Sequence, residues 1–321
     1  MESLKGALKT RRGRFTIIGI ALLMVVLFGV GLILPGKTLP EITLAAEHIP
    51  LPFDIPLLGH SIPNTLPSTW LTMAILLAIG WGYRRALKKE GQPSKFQIAV
   101  EAAAEGMLGF VEGIATENGR LFFPIVATFF LFITISNWCG ILPGFGSIGV
   151  YAEHHGEEVL VPFFRSANAH LSTTLALSVV SVGATQYYGF KVLGTSFLKR
   201  YINFSATSPK PDPETTPGGL QGTMSKVTYY VEIVANGFVG LLELILETIK
   251  ILPFAFRLFG NILAGEVLLF VVSFLFAFIF PIIFMGLELF VGAIQALIFS
   301  MLTLVFLAVA TSHHGEGSEH H

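Results

Sequence analysis

Between residues 251 and 311 the chain offers only three charged side chains, Arg257, Glu266 and Glu288, in a run that otherwise reads as hydrocarbon. About 20 consecutive apolar residues already suffice to cross a bilayer as a helix, and a helix satisfies its backbone polar groups within itself where no water can reach them. Each ionisable group in such a run costs at least a few kcal/mol to bury, so the three demand a reason.

The whole chain is 53% hydrophobic and 13% charged, about half the ~25% charged content of soluble domains. The fold class this implies is all-α: a polytopic helical membrane protein. Its charges are segregated along the chain rather than massed on one surface, so no nucleic-acid partner is implied. The single cysteine, Cys139, allows no intramolecular disulfide and no cysteine cluster for zinc or iron–sulfur, and no cofactor is expected.

Four candidate transmembrane spans lie at 15–34, 66–83, 121–142 and 171–190, the last two forming a hairpin over 121–190 with an external loop at 143–169. A long membrane-embedded helical hairpin follows at 227–311, broken near Pro253 and Pro281. Between the second and third spans, residues 94–118 place Phe96, Val100, Ala103, Met107, Val111 and Ile114 at helical spacing, with Gln97, Glu101, Glu105 and Glu112 on the other side. That pattern describes an amphipathic surface helix. The stretch 205–223, rich in Pro, Thr and Gly, reads as a polar loop within a cytoplasmic segment at 191–226.

Orientation follows from the twenty basic residues: sixteen lie before the first span, between Arg84 and Lys95, at Arg120 or between Lys191 and Lys226, and only Lys37 and Arg165 fall in the intervening loops at 35–65 and 143–169. The bias puts the basic N-terminus at 1–14, the surface helix and 191–226 in the cytoplasm. The stretch at 15–34 reads as a retained anchor rather than a cleaved signal, being longer than a usual signal core. If it is retained, both termini are cytoplasmic, including the tail at 312–321.

Projected at 100° per residue, Ser225, Glu232, Asn236, Glu243, Glu247, Lys250, Arg257 and Asn261 fall within an arc of about 80°. For the stripe as far as Lys250, a water-facing amphipathic helix is an equal alternative to an aqueous wall inside the protein. Arg257 is different, because both of its flanks are apolar and the run continues far beyond it. It must face protein or water at membrane depth, near a carboxylate that another chain can supply. Glu266, nine residues on, points about 180° away from it. Glu288 and Gln295 share a face of the last helix with Gly292, and small Ala293 and Ala296 beside them admit a close neighbour. Folded around Pro281, the last two helices can bring Glu266 and Glu288 face to face, where two carboxylates do not both ionise cheaply and a proton can be held and released.

The segment Arg257-Leu258-Phe259-Gly260-Asn261, then Ala264-Gly265-Glu266, then Glu288 and Gln295-Ala296, resembles the a subunit of the F-type ATP synthase, the stator half of its proton channel. The "SNWCGILPG" at 136–144 and the "STTLAL" opening the fourth span fit as well, while the first anchor and the loop at 205–223 do not match. The resemblance implies a proton-translocating stator, not catalytic alone, that works with a ring of c subunits, peripheral-stalk b subunits and the rest of the synthase in the lipid of the cell's inner (plasma) membrane. Arg257 would face the ring carboxylate, keep it ionised and block direct passage between two half-channels. Asn261, Glu266, Glu288 and Gln295 would line the outside half-channel, and Glu243 with Glu247 the cytoplasmic one. The family often carries histidine at one of the positions held here by Glu266 and Glu288. It also often has an aspartate before the fourth span, for which His170 would substitute as an entry-side titrating group, with an ordinary loop histidine an equal alternative.

The remaining histidines, His154-His155 beside Glu153, Glu157 and Glu158, and His313, His314, His320 and His321 in the tail, lack metal-site spacing and read as solvated, partly disordered segments. A stand-alone transporter would show internal repeats, and none is evident. A membrane scaffold would use the same polar groups only as fasteners, and a neutral effect of replacing Arg257 would mark it. No nucleotide cradle is present, so ATP chemistry belongs elsewhere.

Overall fold

The computed structural model describes residues 48–55, 59–87, 93–115, 118–142, 148–154, 157–201, 220–276 and 279–312. The basic leader, the expected anchor at 15–34, Lys37, most of the polar loop at 205–223 and the histidines of the tail lie outside these residues.

Among the described residues the helices are α1 Thr65–Leu87, α2 Lys95–Ile114, α3 Gly119–Ile141, α4 Leu171–Leu193, α5 Thr195–Tyr201, α6 Leu220–Ile249, α7 Ile251–Leu275 and α8 Ile279–Thr311. Four stretches are long and apolar enough to cross a membrane: α1, α3, the 50-residue run Lys226–Leu275, and Phe280–Thr311. The amphipathic helix begins where Ser94 caps it, its side chain accepting the Gln97 N–H at 3.2 Å, which satisfies one of the donors that a helix start leaves open. Lys250 alone separates α6 from α7. Pro253 is the third residue of α7 and Pro281 the third of α8, positions where the missing N–H costs no intrahelical bond.

The fourth expected span is present as α4 but is not among the four apolar stretches. Its composition explains this: Thr174, Ser178, Ser181 and Thr185 form one buried row along it. Thr174 donates to the Leu171 carbonyl at 3.0 Å, Ser178 to Thr174 at 2.8 Å and Thr185 to Ser181 at 3.0 Å. The helix thus absorbs its own hydroxyls, which suits an apolar surrounding.

Two antiparallel hairpins depart from the expected loops. Strand β1 His48–Ile55 pairs with β2 Gly59–Pro63, with a register shift between Pro50 and Ile55. Strand β3 Gly149–His154 pairs regularly with β4 Glu157–Pro162. Glu153, His154, Glu157 and Glu158 therefore have a strand backbone where a partly disordered segment was expected. Ile49, Ile62 and Val161 form a small apolar cluster at these hairpins.

Exposure is inverted relative to a water-soluble protein. Leu77 is 74% exposed, Val234 71% and Ile282 68%, while Asn137, Asn168, Ser178 and Thr303 are fully buried. Lipid accepts the apolar exterior, and polar side chains fasten helices where no water competes.

The chain divides into two compact units, each taking part of α1, α3, α7 and α8. The first comprises Met1–Leu77, Phe132–His170 and Phe259–Ala296. The second comprises Ala78–Leu131, Leu171–Leu258 and Leu297–His321, with an apolar core of Val111, Ala115, Phe122, Val126, Leu304 and Leu307.

Candidate functional site

In the first unit α7 and α8 meet through their polar residues. Asn261 donates to the Gln295 side-chain oxygen at 2.7 Å; Gln295 itself is only 3% exposed. Farther along, the Glu288 carboxylate lies against Gly265, so closely that a Cβ built at 265 would fall on it. Glycine is required there by the neighbour's carboxylate rather than by backbone conformation. Glu288 is 7% exposed and its Oε1 has no hydrogen-bond partner among the described residues.

Glu266 is not turned to Glu288 alone. Arg165, from the segment between β4 and α4, donates its Nε–H to Glu266 Oε2 at 2.9 Å, with both side chains 14% exposed. The same segment ends in a short 3-10 turn, Ala167–Ala169, capped by half-buried His170. Within that turn Asn168 donates to Asn137 of α3 at 2.7 Å, Asn137 donates to the Gly292 carbonyl of α8 at 3.2 Å, and Trp138 donates to the Leu289 carbonyl at 3.0 Å. The same unit holds buried polar atoms with no hydrogen-bond partner among the described residues: both amide atoms of Asn64, and the hydroxyls of Ser68, Thr134, Ser136 and Ser166. Buried polar atoms of this kind suit bound water, which needs several polar partners and gives them theirs.

In the second unit α6 carries its polar stripe inward. Glu232, Asn236 and Glu243 are partly buried and Glu247 is buried, while Val231, Val234, Phe238 and Leu241 of the same helix are exposed. This arrangement excludes a helix whose polar face looks outward. Glu247 accepts from Lys250 at 2.7 Å and from Gln186 of α4 at 3.4 Å, and Tyr201 donates to the Gln186 side-chain oxygen at 2.9 Å.

Arg257 belongs to the second unit and to the opposite kind of surface. Phe254, Ala255 and Leu258 of α7 are buried, whereas Phe256 and Arg257 are exposed. Arg257 makes no hydrogen bond or ion pair with any described residue. Its guanidinium therefore stands on an apolar outer face without an acid partner among the described residues.

The residues named from sequence thus fall into an α7–α8 cluster, an inward α6 stripe and an isolated arginine. Sequence reasoning missed Arg165, Asn137, Asn168 and Gln186 as members. The signal for Arg165 was its rarity, as one of two basic residues in the intervening loops; it was an uncharged amide within a predicted apolar span for Asn137 and just before one for Asn168. Among the described residues no group of three or more histidine, cysteine, aspartate or glutamate side chains is placed to hold a metal ion.

The fold and the two clusters define a multi-pass helical membrane protein that carries ionisable side chains within its long apolar helices. The family model described as "ATP synthase A chain" matches residues 66–308. Similar proteins include the ATP synthase subunit a of Legionella pneumophila, 28% identical over 259 residues that cover 80% of this chain and 90% of the relative. That of Syntrophobacter fumaroxidans is 28% identical over 246 residues, 76% of this chain and 83% of the relative. That of Desulforamulus reducens is 28% identical over 275 residues, 83% and 85% respectively. The chain belongs to the ATP synthase A chain family. It is accordingly a proton-translocating stator component of the F-type ATP synthase membrane sector.

Proposed function

We propose that the chain conducts protons along two separate polar paths, to and from carboxylates carried past it by a ring of c subunits, with Arg257 as the fixed cation those carboxylates meet. The observation that carries this reading is the exposed guanidinium of Arg257 on an apolar helix face, with no ion-pair partner among the described residues. A cation at membrane depth costs roughly 2.5–3.5 kcal/mol or more. A carboxylate within about 4–6 Å offsets that cost and is itself held ionised, so its proton cannot simply cross. Lysine, lacking the planar fork and losing its proton more readily when buried, would serve poorly.

On this reading Asn261, Glu266, Glu288 and Gln295 line the path open to the outside, with His170 near its entry. The buried polar atoms without a hydrogen-bond partner among the described residues support a hydrated interior in that unit. Glu243 and Glu247 serve the cytoplasmic path, and the inward turn of the α6 stripe favours that role over a water-facing surface. The excess of basic residues outside the intervening loops supports cytoplasmic termini in the cell's inner membrane. The chain holds no nucleotide-binding motif and works only within the complex, beside the ring and the peripheral-stalk b subunits.

The test is Arg257→Ala in the assembled synthase. ATP-driven proton pumping in inverted vesicles is lost while the complex still assembles, and undiminished pumping refutes the reading.

A further inference from the structure

We propose that Arg165 is a positioning residue of the outer proton path: its guanidinium fixes Glu266 as a paired carboxylate, and Glu288 is left as the group that exchanges protons. The inference rests on the proton-conduction reading above and deepens it by making the two glutamates unequal.

The pair itself is the first observation. Arg165 Nε and Glu266 Oε2 are 2.9 Å apart with both side chains largely withdrawn from solvent. Breaking such a pair leaves an uncompensated buried charge, so it is a fixture rather than a passing surface contact. The arginine's backbone is held in place as well. Phe163 N–H bonds the Ile148 carbonyl at 2.8 Å and Ala169 N–H the Ser166 carbonyl at 3.1 Å. Ser166 is pressed so closely on Gly140 of α3 that a Cβ there would fall on it.

Glu288 stands in contrast. One of its oxygens has no hydrogen-bond partner among the described residues, and it lies beside the residue preceding Glu266. The helical parts of this unit, α1 to Leu77, α3 from Phe132, α7 from Phe259 and α8 to Ala296, carry no charged residue besides Glu266 and Glu288. The segment before α4 supplies Arg165 and His170, and the arginine pairs with Glu266. A carboxylate paired with a cation must give up most of the ion-pair attraction to accept a proton. The carboxylate with a bare oxygen need not: a proton delivered by water forms an O–H bond on Glu288 and leaves it to the next acceptor, and Glu266 keeps its charge throughout. With Arg165 and Glu266 cancelling, the site changes by one charge per proton.

The experiment measures the initial rate of ATP-driven proton pumping by the intact complex in proteoliposomes, with the yield of assembled complex recorded for each variant. Arg165→Gln and Glu266→Gln each lower the rate about tenfold, and the double variant also about tenfold rather than about a hundredfold, because the two act as one unit. Arg165→Lys keeps the rate within about threefold, since the charge is retained. Glu288→Gln lowers it about a hundredfold or more, as expected for loss of the exchanging group. Multiplicative losses in the double variant, Arg165→Lys as damaging as Arg165→Gln, or equal losses for Glu266→Gln and Glu288→Gln at normal assembly overturn the proposal. Pumping that survives both Arg257→Ala and Glu288→Gln overturns the conduction reading itself, a result separate from failure of the pairing.

Discussion

Asn168 gives its amide hydrogen to the Asn137 side-chain oxygen at 2.7 Å, and Asn137 hands its own amide to the Gly292 carbonyl at 3.2 Å. Both asparagines are fully buried, so three separate stretches of chain are fastened by two side chains. Asn137→Ala deprives the Asn168 amide of its acceptor and removes the donor to Gly292, at a cost of about 1–2 kcal/mol. Denaturant titration of the purified protein in mixed micelles reads that loss. An unchanged midpoint would mean the freed groups find other partners.

Gly265 is set by the carboxylate that rests on it. Gly265→Ala must push Glu288 aside, and pumping is expected to fall about tenfold through misplacement of the reacting group. Adding Glu288→Asp, one methylene shorter, should recover part of the loss. Wild-type rates with alanine alone would show that Glu288 has room to swing away.

Glu247 is held by Lys250 and Gln186. As a proton-path residue, it should respond to Glu247→Gln with slower pumping at normal complex yield. If the yield of assembled complex falls in step with the rate, Glu247 is a fastener instead.

The Ser181 and Thr303 hydroxyls are 2.8 Å apart, and Thr303 also donates to the Phe299 carbonyl at 2.9 Å. Because that second bond survives, Ser181→Ala should cost only about 0.6 kcal/mol. A double-variant cycle with Thr303→Val measures the coupling, and a value several times larger would reveal further partners for Ser181.

The long helices α1, α3, α4, α7 and α8 were legible because a membrane leaves few options for an apolar run, and because Pro253 and Pro281 sit most easily near a helix start. Intramembrane charges were legible for the same energetic reason. Pairing was not: Arg165 and Glu266 are 101 residues apart, and Asn137 and Gly292 155, so no local pattern links them. The hairpin β1–β2 was hidden by its prolines at 50, 52 and 63, which normally argue against a strand. Family membership identifies the chain, whereas the roles given to Glu247 and the two channel glutamates rest on chemistry that Glu247→Gln, Glu266→Gln and Glu288→Gln test.

Lys250 is the one residue between α6 and α7; it bonds Glu247, and its ammonium sits 4.7 Å from the centre of the Phe306 ring. Joint, counter-charge and aromatic brace are thus vested in a single side chain. Anyone re-engineering this protein for a different coupling ion or a stiffer stator would find that no edit at this position changes only one property: a residue chosen to straighten the rod also unbalances an acid and strips a cation from a ring.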